Sequence, residues 1–208
     1  MAIEVSMSVY RVWDKNYLIK LGENRPELLL FYGHRVTKTV TETCLSQWYP
    51  CQFEVDGVTY TSAEQYMMAE KAKLFGDEEI RAEILSTSDP RKCKALGRKV
   101  KNFDKAVWDK NKEDIVRNGN FEKFIQNDTL RNFLLSTGEK VLVEASPTDR
   151  VWGIGLGKNN PDALNPQKWR GQNLLGFTLM AVRKDMAILD MYGEFDEEED
   201  GENMEETK

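Results

Sequence analysis

The sequence predicts an α+β fold that is mainly helical and has only a small β element. Three observations support this: the chain has the length of a single domain, at 208 residues; polar side chains that cap helices recur through its middle; and strand patterns are few and short. Hydrophobic residues make up 40% of the chain, and no apolar run reaches the roughly 18 residues that a membrane span needs. We therefore expect one compact domain at 1–189, with its core at about 28–184 and no association with a membrane.

Strand patterns occur at three places. Leu28 to Tyr32 is a continuous apolar run, which is typical of a buried strand. Residues 53–60 alternate around Asp56-Gly57, a pair that favours a two-residue hairpin turn. A further strand is predicted at Lys140 to Glu144.

Helices are predicted between and after these strands. Ser62 is a suitable N-cap for a helix at 63–75, and Asp89-Pro90 supplies a cap and a first-turn proline for another at 90–100. Further helices are predicted at 104–117, 121–126, 129–135 and 172–184. The intervening segment 146–170 is rich in Gly, Pro and Asn and contains two tryptophans, so we expect an ordered loop that forms the wall of a site.

Charge sets the C-terminus apart from the rest of the chain. Residues 190–208 carry ten acids and one base, whereas 1–189 has a net charge of +3. Such an acidic segment with few apolar residues is predicted to be a disordered tail. The mildly cationic domain could accept a ligand that carries phosphate.

Cysteine and histidine usage limits the chemistry that is possible. Cys44, Cys51 and Cys93 are odd in number and have no CxxC spacing, and the N-terminus has no signal-peptide pattern, so we expect a reducing cytoplasm. His34 is the single histidine, which argues against a zinc centre and against a Ser-His-Asp or Cys-His triad. We therefore predict no metal and no cofactor, and acid/base chemistry by carboxylates and lysine.

On one predicted helix, Glu64 and Lys71 lie within about 20° of each other around the axis. They share an apolar stripe with Met67, Met68 and Phe75. One interpretation is a partly buried ion pair. The other is a general acid/base glutamate with a lysine that binds phosphate or ribose hydroxyls, or acts as an amine nucleophile.

Two loop segments add further candidates. In the first, a strand that ends at Glu144 runs into a loop that presents Asp149, Trp152 and Gly153, although Asp149 could simply be a turn residue and Trp152 a core residue. In the second, the backbone amides around 171–173 could bind an anion at a helix N-terminus.

Aromatic and basic residues leave similar alternatives open. The aromatic residues Trp48, Tyr49, Trp152 and Trp169 would suit stacking on a nucleobase, or could be core residues. Asn173 could be an N-cap instead of a ligand-binding residue. The basic clusters at 91–94 and 98–101 are interpreted as a solvated helix face.

Short motifs occur in a fixed order between about residues 28 and 184. They are Leu30-Phe31-Tyr32, Tyr60-Thr61-Ser62-Ala63-Glu64-Gln65-Tyr66 with Lys71, Leu96-Gly97-Arg98, Phe103-Asp104 with Trp108, Lys123-Phe124 with Gln126-Asn127, Leu134-Leu135, Leu142-Val143-Glu144, Asp149 with Trp152-Gly153, Gly171 with Asn173-Leu174-Leu175-Gly176, and Leu179-Met180. In these motifs the chain resembles the YbiA-like, or NADAR, domain family. The resemblance implies a compact YbiA-like fold and hydrolysis of N-glycosidic bonds.

The resemblance also implies roles for particular residues. It makes Glu64, Lys71 and Asp149 catalytic. The substrate-binding residues are expected to be Tyr32, Trp48, Glu144, Trp152, Gly153, Trp169, Gly171 and Asn173.

Members of this family act on phosphoribosylamino-pyrimidine intermediates of riboflavin synthesis, and others remove ADP-ribose from guanine. We expect an ADP-ribosyl glycohydrolase that frees ADP-ribose from guanine in nucleic acid or nucleotides. The alternatives are a hydrolase of the phosphoribosyl-type small molecule and a non-catalytic module that binds ADP-ribose.

Overall fold

The computed structural model describes residues 13–202. This part of the chain contains seven helices, two small pairs of strands and short 3₁₀ turns, joined by loops. The predicted α+β class, mainly helical with a small β element, is confirmed. The helices are α1 (Lys15–Leu21), α2 (Ala63–Leu74), α3 (Glu78–Leu85), α4 (Pro90–Gly97), α5 (Lys105–Ile125), α6 (Asp128–Ser136) and α7 (Leu174–Glu202). The strands are β1 (Leu28–Phe31), β2 (Phe53–Val55), β3 (Val58–Tyr60) and β4 (Val141–Glu144).

Local sequence signals place most of these elements. The Ser62 hydroxyl accepts a hydrogen bond from the Gln65 N–H at the start of α2, and the Asp89 carboxylate accepts one from the Arg91 N–H at the start of α4. Asp56 and Gly57 both have positive φ, as the turn between β2 and β3 requires. These capping and turn residues confirm the predicted starts of both helices and the hairpin.

Packing around α2 and β4 creates the framework of the site. Helix α2 packs against α3, α4 and α5, so it is buried on most of its circumference. Strand β4 is fully buried, pairs in parallel with β1 and packs against α7. In this register Phe31 lies beside Glu144, so the carboxyl ends of both strands open on the same side.

Helix α5 differs from its prediction. The sequence predicts separate helices at 104–117 and 121–126, whereas a single helix spans Lys105–Ile125. Gly119 lies between the two predicted helices without breaking this one, because α5 approaches α2 there: a Cβ at Gly119 would lie 2.3 Å from a ring carbon of Tyr66. The glycine therefore serves close helix packing.

The C-terminus also differs from its prediction. A disordered tail was expected from Asp190 onward, but α7 continues to Glu202, and residues 203–208 lie outside the described part of the chain. The segment extends a helix that is already packed on β4 and α5, so it needs no new nucleus. Arg131 on α6 forms an ion pair with Asp190, which ties the start of this segment to the domain.

Three further differences are local. Helices α1 and α3 were not predicted, and α4 ends at Gly97, before the predicted residue 100. The loop 146–170 contains two 3₁₀ turns, at Pro161–Leu164 and Pro166–Lys168.

Within the described residues, no helix is both long and apolar enough to cross a bilayer.

Candidate active site

Glu64, Glu144 and Asp149 form a cluster of carboxyl groups between α2 and the end of β4. Glu64 lies in the first turn of α2, Glu144 is the last residue of β4, and Asp149 follows in the next loop. The charge of Asp149 acts on both glutamates, so three distant stretches of sequence meet here.

The Glu64 carboxyl is almost completely removed from water. Its side chain is 2% exposed, and burial raises its pKa from the ordinary value of 4.5 to about 7. The Asp149 carboxylate contributes to this rise, whereas Lys94, Arg98 and a hydrogen bond from the Trp48 side chain oppose it. The apolar stripe of α2 predicts this direction, and a pKa near neutrality suits proton transfer in both directions.

Glu144 is perturbed in the same way. Its pKa is raised to about 8, mainly by burial, with a smaller contribution from the Asp149 charge that the Lys94 charge opposes. The raised pKa favours the protonated form of Glu144 near neutral pH, and in that form its side chain can donate a hydrogen bond.

Asp149 is fixed by the backbone of its own loop. Its Oδ1 accepts hydrogen bonds from the N–H groups of Val151 and Trp152, at 2.9 and 2.8 Å. Its carbonyl oxygen accepts another from the Gly155 N–H at 2.9 Å. Asp149 is thus a turn residue. Its carboxylate is half-buried, and its charge also raises the pKa of both glutamates.

Lys94 supplies a cation that acts on both glutamates of this cluster. It is half-buried on α4, and its charge lowers the pKa of both Glu64 and Glu144. Its Nζ lies 5.8 Å from the centre of the Trp48 ring. The interpretation of segment 91–94 as a solvated face is therefore wrong for Lys94, although Arg91 and Lys92 are exposed.

The Lys71 ammonium is not brought to the carboxyl cluster. Its Nζ donates a 2.7 Å hydrogen bond to the Gly97 carbonyl at the end of α4 and lies 4.3 Å from the centre of the Phe103 ring and 5.6 Å from that of Trp108. Partial burial lowers the pKa of Lys71. Among the described charges, however, Lys94 and Arg98 are the cations that act on Glu64. Glu64 and Lys71 both lie on α2, as the sequence predicts, but the Lys71 side chain turns toward α4. Residue spacing along a helix cannot show this direction.

Three of the aromatic residues that are predicted to bind substrate keep part of their surface exposed. Trp48 is half-buried, and its ring centre lies 5.5 Å from that of the exposed His34. Tyr32 directly follows β1 and is 50% exposed. Trp152 is half-buried and packs partly on the core. These positions leave parts of Tyr32, Trp48 and Trp152 accessible to a planar ligand, and their binding roles stay predictions.

Asn173 holds the backbone at the end of β4. It is completely buried; its Oδ1 accepts a hydrogen bond from the Glu144 N–H and its Nδ2 donates one to the Leu142 carbonyl, both at 2.9 Å. Its φ of 59° is a left-handed conformation that asparagine adopts more readily than most residues. Asn173 is therefore a positioning residue for Glu144, and its direct contact with substrate stays a prediction.

Gly153 and Gly171 have packing roles. A Cβ at Gly153 would lie 2.8 Å from the Glu144 carbonyl oxygen, and one at Gly171 would lie 2.2 Å from the Gly153 carbonyl oxygen. Three backbone segments are thus stacked in contact behind the carboxyl cluster, which requires residues without side chains.

The comparisons with known proteins agree with this architecture. Residues 30–187 match the NADAR domain family. The chain belongs to this family. A protein of Acanthamoeba polyphaga mimivirus that is named an N-glycosidase is 49% identical over 145 residues, which cover 67% of this chain and 85% of that protein. N-glycosidase YbiA of Escherichia coli is 34% identical over 135 residues, covering 65% of this chain and 76% of the relative.

A solved structure shares the fold of this NADAR domain. The NMR structure of the Escherichia coli protein YbiA superposes with a TM-score of 0.64 at 29% sequence identity, covering 80% of this chain and 89% of that one. The predicted membership of the YbiA-like family is confirmed.

Trp169 is a core residue of the NADAR domain. Its side chain is 3% exposed, and its indole N–H donates a 2.8 Å hydrogen bond to the Ala163 carbonyl. This burial agrees with the alternative that Trp169 is a core residue, and its substrate-binding role stays a prediction. In the part of the chain that the structure describes, no three His, Cys, Asp or Glu side chains come together as a metal site would need.

Proposed function

We propose that this NADAR domain is an N-glycosidase that hydrolyses the bond between a ribose and a nitrogen of its leaving base. The observation that carries the proposal is the pair of buried glutamates, with pKa values of about 7 and about 8, beside the Asp149 carboxylate. N-glycoside cleavage needs a proton for the leaving nitrogen and a negative charge near the anomeric carbon, and this cluster offers both. Relatives that carry the name N-glycosidase support the same activity.

Glu64 is assigned the proton transfers. In its protonated form it donates a proton to the leaving nitrogen as the bond to the anomeric carbon breaks. The resulting Glu64 carboxylate then takes a proton from the water that adds to the oxocarbenium-like carbon, which restores the starting state.

Asp149 and Glu144 complete the assignment. The Asp149 carboxylate stabilises the positive charge that develops on the ribose, and its hydrogen bonds from the backbone fix it for this purpose. Glu144, whose raised pKa favours the protonated form, donates a hydrogen bond to a ribose hydroxyl.

Lys94 takes the lysine role that the sequence assigned to Lys71. Its position beside Glu64, Glu144 and Trp48 allows it to hold a phosphate or hydroxyl group, or to attack the aldehyde of an opened ribose as an amine. Lys94→Arg separates the two roles, because arginine keeps the charge but forms no imine.

The substrate we propose is ADP-ribose linked to guanine in nucleic acid or nucleotides. The positive charge of 1–189, with Lys94 and Arg98 acting at the carboxyl cluster, favours a ligand with phosphates. The accessible aromatic rings of Tyr32, Trp48 and Trp152 favour a base.

One experiment tests this substrate. The purified protein is incubated with ADP-ribosylated guanosine or DNA and, separately, with the phosphoribosylamino-pyrimidine, and release of the base is followed by mass spectrometry. We expect turnover of the first substrate. Turnover of only the second would select the phosphoribosyl substrate, and binding of ADP-ribose without turnover would make the domain a binding module.

A further inference from the structure

Gln47 has an unusual side chain for a buried residue. It is 7% exposed, and neither its Nε2 nor its Oε1 has a hydrogen-bond partner among the residues that the structure describes. Burying an amide without hydrogen bonds costs free energy, and buried polar side chains in native proteins are nearly always paired. The position of Gln47 therefore calls for a physical reason.

Unpaired polar atoms are concentrated at this place. Seven buried side-chain atoms lack a partner within the described residues, and three of them belong to Gln47 and Glu64. The side chains that hold the other four atoms each bond through a different atom: Arg25, Arg81, Asn120 and Arg131. In this set, Gln47 is the side chain with both of its polar atoms unpaired.

Gln47 is also joined to the carboxyl cluster through its backbone. Its carbonyl oxygen accepts a 2.9 Å hydrogen bond from the N–H of Glu64, at the start of α2. The next residue, Trp48, affects the Glu64 carboxyl through a side-chain hydrogen bond. An unpaired donor and acceptor thus lie in the segment that borders the proposed proton donor.

A buried lysine fixes this segment. The Lys123 ammonium is completely buried and donates hydrogen bonds to the carbonyls of Cys44, at 2.6 Å, and Ser46, at 2.9 Å. The backbone on the N-terminal side of Gln47 is therefore anchored to α5. Such rigidity suits a recognition group, because less order must be imposed when a ligand binds.

We propose that Gln47 recognises the leaving base, with its amide nitrogen donating to a ring carbonyl and its amide oxygen accepting from the adjacent ring N–H. An amide carries one donor group beside one acceptor, which matches the lactam edge of guanine. The inference rests on the proposed function for the presence of a base at the site. It makes Gln47 a specificity-determining residue, distinct from the groups that transfer protons.

The test compares the binding of two probes. Guanosine has the lactam edge, whereas O6-methylguanosine lacks the ring N–H and the free carbonyl. Binding is measured by calorimetry for the wild-type protein, for Gln47→Met and for the exposed control Gln167→Met. We expect the wild type and the control to prefer guanosine by roughly 10-fold to 100-fold, and Gln47→Met to bind both probes equally.

Thermal unfolding separates recognition from a structural role. Methionine at position 47 removes an unpaired amide from the interior, so the Gln47→Met protein should unfold at a higher temperature than the wild type. A lower unfolding temperature would indicate that Gln47 serves the fold, and would overturn the proposal. If Gln47→Met does not fold, Gln47→Leu also lacks both the donor and the acceptor, and should likewise lose the preference for guanosine.

The outcomes are independent of the hydrolysis assay. A Gln47→Met protein that still prefers guanosine would overturn this inference even if the wild type hydrolyses ADP-ribosylated guanosine. A wild type that binds the two probes equally, or binds neither, would overturn it too. Preference for guanosine that is lost in Gln47→Met would support it even if no ADP-ribosylated substrate is turned over.

Discussion

The Asn173 side chain ties the start of α7 to the end of β4, where its Oδ1 accepts a hydrogen bond from the Glu144 N–H at 2.9 Å. The residue proposed to bind a ribose hydroxyl, Glu144, is therefore positioned by a residue 29 positions away that is itself completely buried. Because Asn173 also bonds to Leu142, it fixes the last three residues of β4 relative to α7.

Substitutions of Asn173 should separate its bonds from its backbone conformation. Glycine keeps the left-handed backbone and removes both side-chain bonds, so Asn173→Gly should lower the free energy of unfolding by about 1–3 kcal/mol. Asn173→Ala should lose about 1–2 kcal/mol more, because alanine is strained at positive φ. Denaturant unfolding measures both variants, and equal losses would contradict the conformational part of this account.

The pKa of Glu64 should move in opposite directions when its neighbours change. Lys94→Met and Trp48→Phe remove groups that lower this pKa, so both should raise it above about 7, whereas Asp149→Asn should lower it. Carbon-13 NMR of the Glu64 carboxyl reports the titration directly. Lys92→Met, an exposed neighbour on α4, should leave the pKa unchanged, and a shift as large as that of Lys94→Met would contradict the assignment of Lys94 to the site.

The raised pKa of Glu64 should make stability depend on pH. The folded state holds the proton more tightly than the unfolded chain, so the stabilisation is complete below about pH 4.5 and is lost as the pH rises through about 7. Glu64→Gln cannot ionise, so its stability relative to the wild type should increase with pH by an amount on the order of 3 kcal/mol. Unfolding curves at several pH values test this, and Glu113→Gln, an exposed change on α5, should show no such trend.

Lys123 should be required for the fold around Gln47. Lys123→Met would leave the carbonyls of Cys44 and Ser46 without their buried donor, which costs about 1–3 kcal/mol for each group. We expect a clear loss of stability in denaturant unfolding. The matched change Lys110→Met, on an exposed face of the same helix, should have an effect within about 0.5 kcal/mol. Similar losses in both variants would contradict the anchoring role of Lys123.

Local signals in the sequence predicted much of the fold. Ser62 and Asp89 predicted the starts of α2 and α4, and Asp56-Gly57 predicted the hairpin. Such caps and tight turns depend on neighbouring residues only. The parallel pairing of β1 with β4 could not be predicted in this way. It joins residues more than a hundred positions apart, and packing decides it.

The candidate site was predicted unevenly for the same reason. The burial of Glu64 followed from the apolar stripe of its helix, and the resemblance to the family pointed to Asp149. Lys94 was missed because its neighbours Arg91 and Lys92 are solvated, and the inward turn of one member of a basic run is set by the packing of α4 on α2. Helical periodicity places Cys93 and Gly97, four positions apart, on one buried face of α4. Lys94 is next to Cys93 and therefore borders this buried face.

The turnover number of Glu64→Gln under saturating ADP-ribosylated guanosine tests the central claim most directly. A general acid/base contributes roughly 10²–10⁴ to the rate, so the account predicts a loss of this size in a protein that is folded and still binds the substrate. Glu113→Gln should keep the wild-type rate. Retention of more than about a tenth of the wild-type turnover by Glu64→Gln would contradict the assignment of proton transfer to Glu64.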